Sequence, residues 1–138
     1  MEQRFYLDTS IWIDLYEDRK GYLDEPLDDF AFELILFIRK NNHKIVLTNF
    51  LMSELQRRIT LEEINGMLKP FEKLIETMIV SEEQLQEAKI ICKKKQVPFG
   101  DAVHAIIARD YDLILVSRDK HFKLLEEISK CNKPEELI

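Results

Sequence analysis

Four acids, Asp8, Glu54, Asp101 and Asp119, fall where short apolar runs end or where helices begin. Asp8 directly follows Phe5-Tyr6-Leu7. Glu54 lies in a helical stretch after Ile45-Val46-Leu47-Thr48. Asp101 follows Gly100 and opens the segment AVHAIIAR, and Asp119 comes just past Leu113–Val116, after Ser117 and Arg118. Carboxylates gathered in one place repel, and each raises the pKa of the next. A hard divalent cation, Mg²⁺ or Mn²⁺, resolves this, because it prefers oxygen ligands and keeps several waters. Held by carboxylates, such an ion acidifies a bound water and stabilises charge on a phosphate, which is the chemistry of phosphodiester hydrolysis. Singly, each acid has a plainer explanation. Asp8, Asp101 and Asp119 are good helix N-caps, and Glu54 is an ordinary solvated helix residue.

The elements around these acids alternate. Phe5–Leu7, Ile45–Thr48 and Leu113–Val116 read as buried strands, the last most clearly, and Met78–Val80 as a further short one. Thr9 or Ser10 caps a helix with Ile11, Trp12 and Leu15. The stretch Asp18–Asp29, with Gly21 and Pro26, reads as a loop. Phe30, Leu34, Ile35, Phe37 and Ile38 recur at helical spacing up to Lys40. Leu61–Met78 also reads as helical, bent near Pro70. Ser81, with Glu82 and Glu83, opens a helix running to Gln96, Asp101–Asp110 forms a compact apolar one, and a last helix surrounds Phe122, Leu124 and Leu125. Strands that alternate with helices imply an α/β fold: a three-layer α/β/α sandwich around a mainly parallel sheet. Ligand sites in such sheets form beyond the carboxyl ends of the strands, near the switch in strand order. That rule places Asp8 and Asp119; with Asp101 and Glu54 each near a strand end or a helix start, four carboxylates can converge on one cleft.

At 138 residues the chain fits a single domain, and its 46% hydrophobic and 33% charged residues suit a soluble globular protein. The N-terminus lacks a basic region followed by an apolar one, and no apolar run reaches membrane-spanning length. Cys92 and Cys131 stand far apart, without metal-ligand spacing, which argues against zinc and against a disulfide framework. A reducing, cytoplasmic compartment follows. The net charge of −6 argues weakly against nucleic-acid binding, but carboxylates that hold cations add to it.

In order, YLDTSIWIDL, LTNFLMSEL, PFGDAVHAIIA and LILVSRDKHF resemble the PIN domain, above all the VapC-like toxins of prokaryotic toxin–antitoxin pairs. The resemblance spans nearly the whole chain and makes residues 1–138 a single PIN-like domain. It implies a Rossmann-like sandwich and a Mg²⁺- or Mn²⁺-dependent endoribonuclease acting on RNA. The acids matching Asp8 and Asp101 are the usual metal ligands, and Glu54 and Asp119 complete the site. Thr9 or Thr48, with Ser117, would orient these acids by hydrogen bonds. Capping accounts for Asp119 almost as well as metal binding does. The family further implies a homodimer and an inhibitory antitoxin partner.

Arg118 and Lys120 flank Asp119 and are candidates for phosphate contact. Lys93-Lys94-Lys95 reads as a solvated helix end, close enough to Asp101 to touch an RNA backbone. His104 reads as mostly structural, His43 and His121 as surface residues, and Trp12 as core or dimer interface. A phosphoaspartyl-transferase motif fails, because its second Asp would fall on Ser10, and no GxGxxG follows a strand. The rival from another class is a non-catalytic PIN-like module that binds RNA or a protein; the presence of all four acids weighs against it. Departures from the typical fold are expected in Asp18–Asp29 and Leu61–Met78.

Overall fold

The three clearest apolar runs become the middle of a five-stranded, all-parallel sheet. The computed structural model describes residues 1–21 and 23–138. Its strands are β1 (Arg4–Leu7), β2 (Lys44–Thr48), β3 (Ile75–Met78), β4 (Ile114–Val116) and β5 (Cys131–Asn132), in the order β3-β2-β1-β4-β5. Phe5, Tyr6, Leu7, Ile45, Val46, Leu47, Leu115 and Val116 are all buried. A parallel strand covered on both faces has no solvent side, so it reads as a continuous apolar run rather than an alternation.

Among the described residues, six α-helices connect these strands: α1 (Thr9–Tyr16), α2 (Leu27–Lys40), α3 (Asn49–Gln56), α4 (Leu61–Leu68), α5 (Glu82–Lys95) and α6 (Phe99–Asp110). From β1 the chain steps outward to β2 and β3, then returns across the sheet to β4 on the other side of β1. Right-handed crossovers therefore place the helices of the outward steps on one face and those of the return on the other. The strand order reverses between β1 and β4, and their carboxyl ends lead into Asp8 and Asp119.

Several boundaries differ from those expected. The third strand is Ile75–Met78, not Met78–Val80, and runs parallel to Ile45–Thr48 at the sheet edge. Helix α4 ends at Leu68, and a 3-10 segment, Lys69–Leu74, with Pro70 in its first turn, separates it from β3. The last helix is a 3-10 turn, Lys120–Leu125. Asp8, not Thr9 or Ser10, caps α1, its side chain accepting from the Ile11 N–H. Helix α2 starts at Leu27, inside the stretch read as a loop; residue 22 of that stretch lies outside the described residues. His43 is buried, and its Nδ1 accepts from the Gln3 N–H at 3.0 Å, so it is no surface residue. Trp12 belongs to the core. Among the described residues, no helix is long and apolar enough to cross a membrane.

Candidate functional site

Asp8 is held by its cap position and by two hydroxyls. Ser10 Oγ donates to Oδ1 at 2.6 Å, and Ser117 Oγ, arriving from the end of β4, donates to Oδ2 at 2.6 Å. The residue is only 5% exposed. Burial pushes its pKa above the usual range, and the two hydroxyls offset this only in part.

Glu54 sits on α3, whose N-cap is Thr48. Its Oε1 accepts from Thr9 Oγ1 at 2.6 Å and lies 2.6 Å from His104 Nε2. Burial alone would raise this carboxyl. His104, Thr9 and the charge of Arg57 outweigh burial and hold it below the usual range. Its Oε2 rests against Gly100, where a Cβ would overlap it. Gly100 is thus a glycine because a carboxylate occupies the space a side chain would need.

Asp101 does not cap a helix. Helix α6 begins at Phe99 after Pro98, which puts Asp101 in its first turn. Its pKa rises to about 8, through burial first and then through the charges of Asp119, Asp8 and Glu54. Its Oδ2 is buried with no hydrogen-bond partner among the described residues. Asp119 does cap the Lys120–Leu125 turn, its Oδ1 accepting from the His121 N–H at 2.9 Å. Its own N–H donates to Ser117 Oγ at 3.0 Å, so one hydroxyl ties Asp8 to Asp119. His121 Nδ1 lies 2.7 Å from Asp119 Oδ1 and 3.4 Å from Asp101 Oδ2, in line for a hydrogen bond with neither. One ligand atom from each of Asp101, Asp119 and His121 lies within 4.8 Å of the others.

All four acids line one cleft of about 480 Å³, together with Thr9, Ser10, Ile13, His104 and the arginines Arg19, Arg57 and Arg58. Glu17 bridges Arg19 at 2.9 Å and Arg58 at 3.0 Å, while Arg57 has no carboxylate partner among the described residues. The donor set is hard oxygen. One carboxylate oxygen is orphaned, and burial together with the charges of Asp119, Asp8 and Glu54 pushes the Asp101 carboxyl up, a shift that a bound cation would oppose. These residues fit a divalent cation.

Two expected contacts are placed differently. Thr48 hydrogen-bonds to none of the acids among the described residues; its Oγ1 accepts from the Leu51 N–H at 3.1 Å and meets the Tyr6 hydroxyl at 2.9 Å. Arg118 turns away from the cleft. It grips Glu135 at 2.6 and 2.8 Å, approaches Asp14 at 3.6 Å and lies over the Phe30 ring. Successive residues of extended chain point to opposite sides. Ser117 and Asp119 share the site side, so Arg118 between them cannot. Lys120 is exposed and lines the neighbouring groove.

The arginines and His104 were not anticipated in the cleft, nor was His121 beside Asp101 and Asp119. Arg57 and Arg58 come three and four residues after Glu54, and His104 three after Asp101, spacings that put them on the same helix faces as those acids. That signal was present in the sequence. The approach of His121 to Asp101 had none, because it depends on how the 3-10 turn meets α6.

A family model described as PIN domain matches residues 5–128. Among curated proteins no match is found. Several solved structures are similar. The crystal structure of PAE2754 from Pyrobaculum aerophilum has 17% identity and a TM-score of 0.61, over 99% of this chain and 95% of that one. VapBC2 from Rickettsia felis, bound to a DNA fragment from their promoter, contains a chain with 18% identity and a TM-score of 0.67, over 95% and 98%. A toxin–antitoxin complex from Klebsiella pneumoniae contains one with 16% identity and a TM-score of 0.58, over 94% and 97%.

Proposed function

The chain belongs to the PIN domain family, and we propose that it is a Mg²⁺- or Mn²⁺-dependent endoribonuclease, a VapC-like toxin that hydrolyses RNA phosphodiester bonds. The observation that carries this reading is the meeting of Asp8, Glu54, Asp101 and Asp119 in one cleft at the reversal of strand order, rimmed by arginines. Asp8, Asp101 and Asp119, with Glu54, would hold the cation. When bound, the ion supplies counter-charge to the scissile phosphate and lowers the pKa of a water.

The chain's own residues supply the rest. Glu54, held below its usual pKa by His104 and Thr9, enters the reaction already ionised. Ser10 and Ser117 fix both oxygens of Asp8, so the acid is oriented before substrate arrives. Arg57, free of a carboxylate partner among the described residues, is the rim cation best placed to take a phosphate oxygen. The same reading takes residues 1–138 as one domain that works in the cytoplasm as a homodimer and is silenced by an antitoxin. Two similar structures come from toxin–antitoxin systems, which supports that part.

The test is cleavage of RNA by the wild type, Asp8→Ala and Asp101→Ala, with Mg²⁺ or Mn²⁺. Cleavage by the wild type that both variants lose supports the assignment. Equal cleavage by all three, or none with any RNA at high metal, refutes it and leaves a module that only binds RNA or protein. Growth arrest on expression, relieved by the product of an adjacent small gene, tests the toxin role; no arrest counts against it.

A further inference from the structure

Asp119 lines two cavities. One is the acid cleft, and the other is a groove, also of about 480 Å³, on the far side of the Lys120–Leu125 turn. Lys120 and Lys123 enter this groove from the turn. Lys130 and Lys133 enter from the two ends of the segment that carries β5. All four are exposed. None has a carboxylate within ion-pair distance among the described residues, whereas Lys20, Arg19, Arg58, Arg109 and Arg118 are each tied to one.

The acids in the groove are Asp119, Glu126 and Glu136. Asp119 belongs to the site, and Glu136 spends an oxygen on the Lys133 N–H at 2.7 Å. On a chain with a net charge of −6, four unpaired ammonium groups beside the acid cleft are a local reversal of sign. The groove floor offers Phe122 only as a buried residue, so no aromatic face is presented for stacking a base. Charge on flexible stems, without a stacking platform, suits a phosphate backbone and not particular bases.

We propose that this lysine groove is a second phosphate-backbone subsite, through which a single-stranded RNA continues past Asp119 once one of its phosphates lies in the acid cleft. The inference rests on the nuclease reading for its direction: a strand pinned at the arginine-rimmed cleft meets the groove next, with Asp119 as the shared wall. The groove would raise affinity for longer strands without choosing their sequence.

The experiment is fluorescence anisotropy of labelled single-stranded RNA in EDTA, comparing wild type with Lys123→Gln/Lys130→Gln. Each phosphate contact adds about 0.7 to the salt slope of a single strand. For RNA of about 12 nucleotides, the double variant should lose roughly 1.4 of slope. Its affinity should then fall about sevenfold less than that of the wild type between roughly 50 and 200 mM salt. For a strand of about 3 nucleotides, too short for one OB-fold-sized site of about 4, the two proteins should bind alike. Equal slopes with the long strand overturn the groove, whether or not RNA is cleaved. Competition by polyglutamate as strong as by RNA also overturns it. Lysine-dependent binding in EDTA by a wild type that cleaves nothing when Mg²⁺ or Mn²⁺ is supplied upholds the groove and refutes the nuclease.

Discussion

His104 Nε2 lies 2.6 Å from Glu54 Oε1 and is the last link of a buried chain that starts at Thr48. Thr48 Oγ1 accepts from Leu51 N–H, so its own proton is left for Tyr6 Oη, 2.9 Å away. The Tyr6 hydroxyl then donates to His104 Nδ1 at 2.7 Å, and Nε2–H faces Glu54. This order gives every atom of the chain a partner. Burial raises the Tyr6 pKa, which keeps the phenol proton in place. His104 is a positioning residue for Glu54. His104→Ala should lower metal affinity or turnover about 10- to 100-fold, with Tyr6→Phe losing less. His104→Gln, whose amide can still donate to Glu54, should recover part of the loss. Metal titration and kcat measured on the same variants check this; an alanine variant indistinguishable from wild type would refute it.

Asp101 links the site to stability. Burial and the neighbouring carboxylates push its carboxyl up to about 8 in the folded chain, from an ordinary 3.8. Between those values the folded chain holds a proton that the unfolded chain has released, so stability falls as pH rises through that window. Asp8 is shifted in the same sense. Glu54 is shifted the other way: its contribution is present in full above its ordinary value of 4.5 and is lost as pH falls from there through the lowered value, so it does not offset the loss at higher pH. In EDTA the melting temperature should therefore fall from about pH 5 to about pH 8. Mg²⁺ or Mn²⁺ should restore it more at the higher pH. Asp101→Asn should flatten both effects, and full retention of either in that variant would show that another group is responsible.

Much of this was legible because of where the chain turns. Buried parallel strands announced themselves as FYL, IVLT and LILV, and the acids that follow them had to emerge at the sheet's carboxyl end. Strand β3 was expected three residues too late, at Met78–Val80, because it is an edge strand: Glu76 and Thr77 interrupt its apolar pattern, and Thr77 is exposed. Strand β5, two residues long, leaves no pattern at all. Adjacency misled for Arg118, whose neighbour Asp119 faces the other way. Helical spacing would have served better for Arg57, which shares a face with Glu54.

Arg118 is consequently a structural residue. It neutralises Glu135 and the buried Asp14 and covers Phe30, joining α1, α2 and the C-terminal turn. Arg118→Ala leaves Asp14 without its nearest cation, which should cost roughly 1–3 kcal/mol of stability. The RNA salt slope should not change. Urea denaturation and anisotropy on one variant separate the two roles; reduced RNA binding with unchanged stability would restore Arg118 as a phosphate contact.

Gly100→Ala should move stability and activity in opposite directions. Gly100 lies in α6, and its φ is not positive, so alanine suits the backbone and improves helix propensity by about 1 kcal/mol. The added methyl, however, meets Glu54 Oε2. That carboxylate cannot swing aside freely, because Thr9 and His104 both hold Oε1 at 2.6 Å. It must give up one of those bonds. The expected variant melts at or above the wild-type temperature, yet binds Mn²⁺ more weakly and cleaves RNA about 10- to 100-fold more slowly, as loss of an orienting bond does. Thermal melts paired with cleavage assays check it. Undiminished activity would mean that the exact placement of Glu54 is not needed.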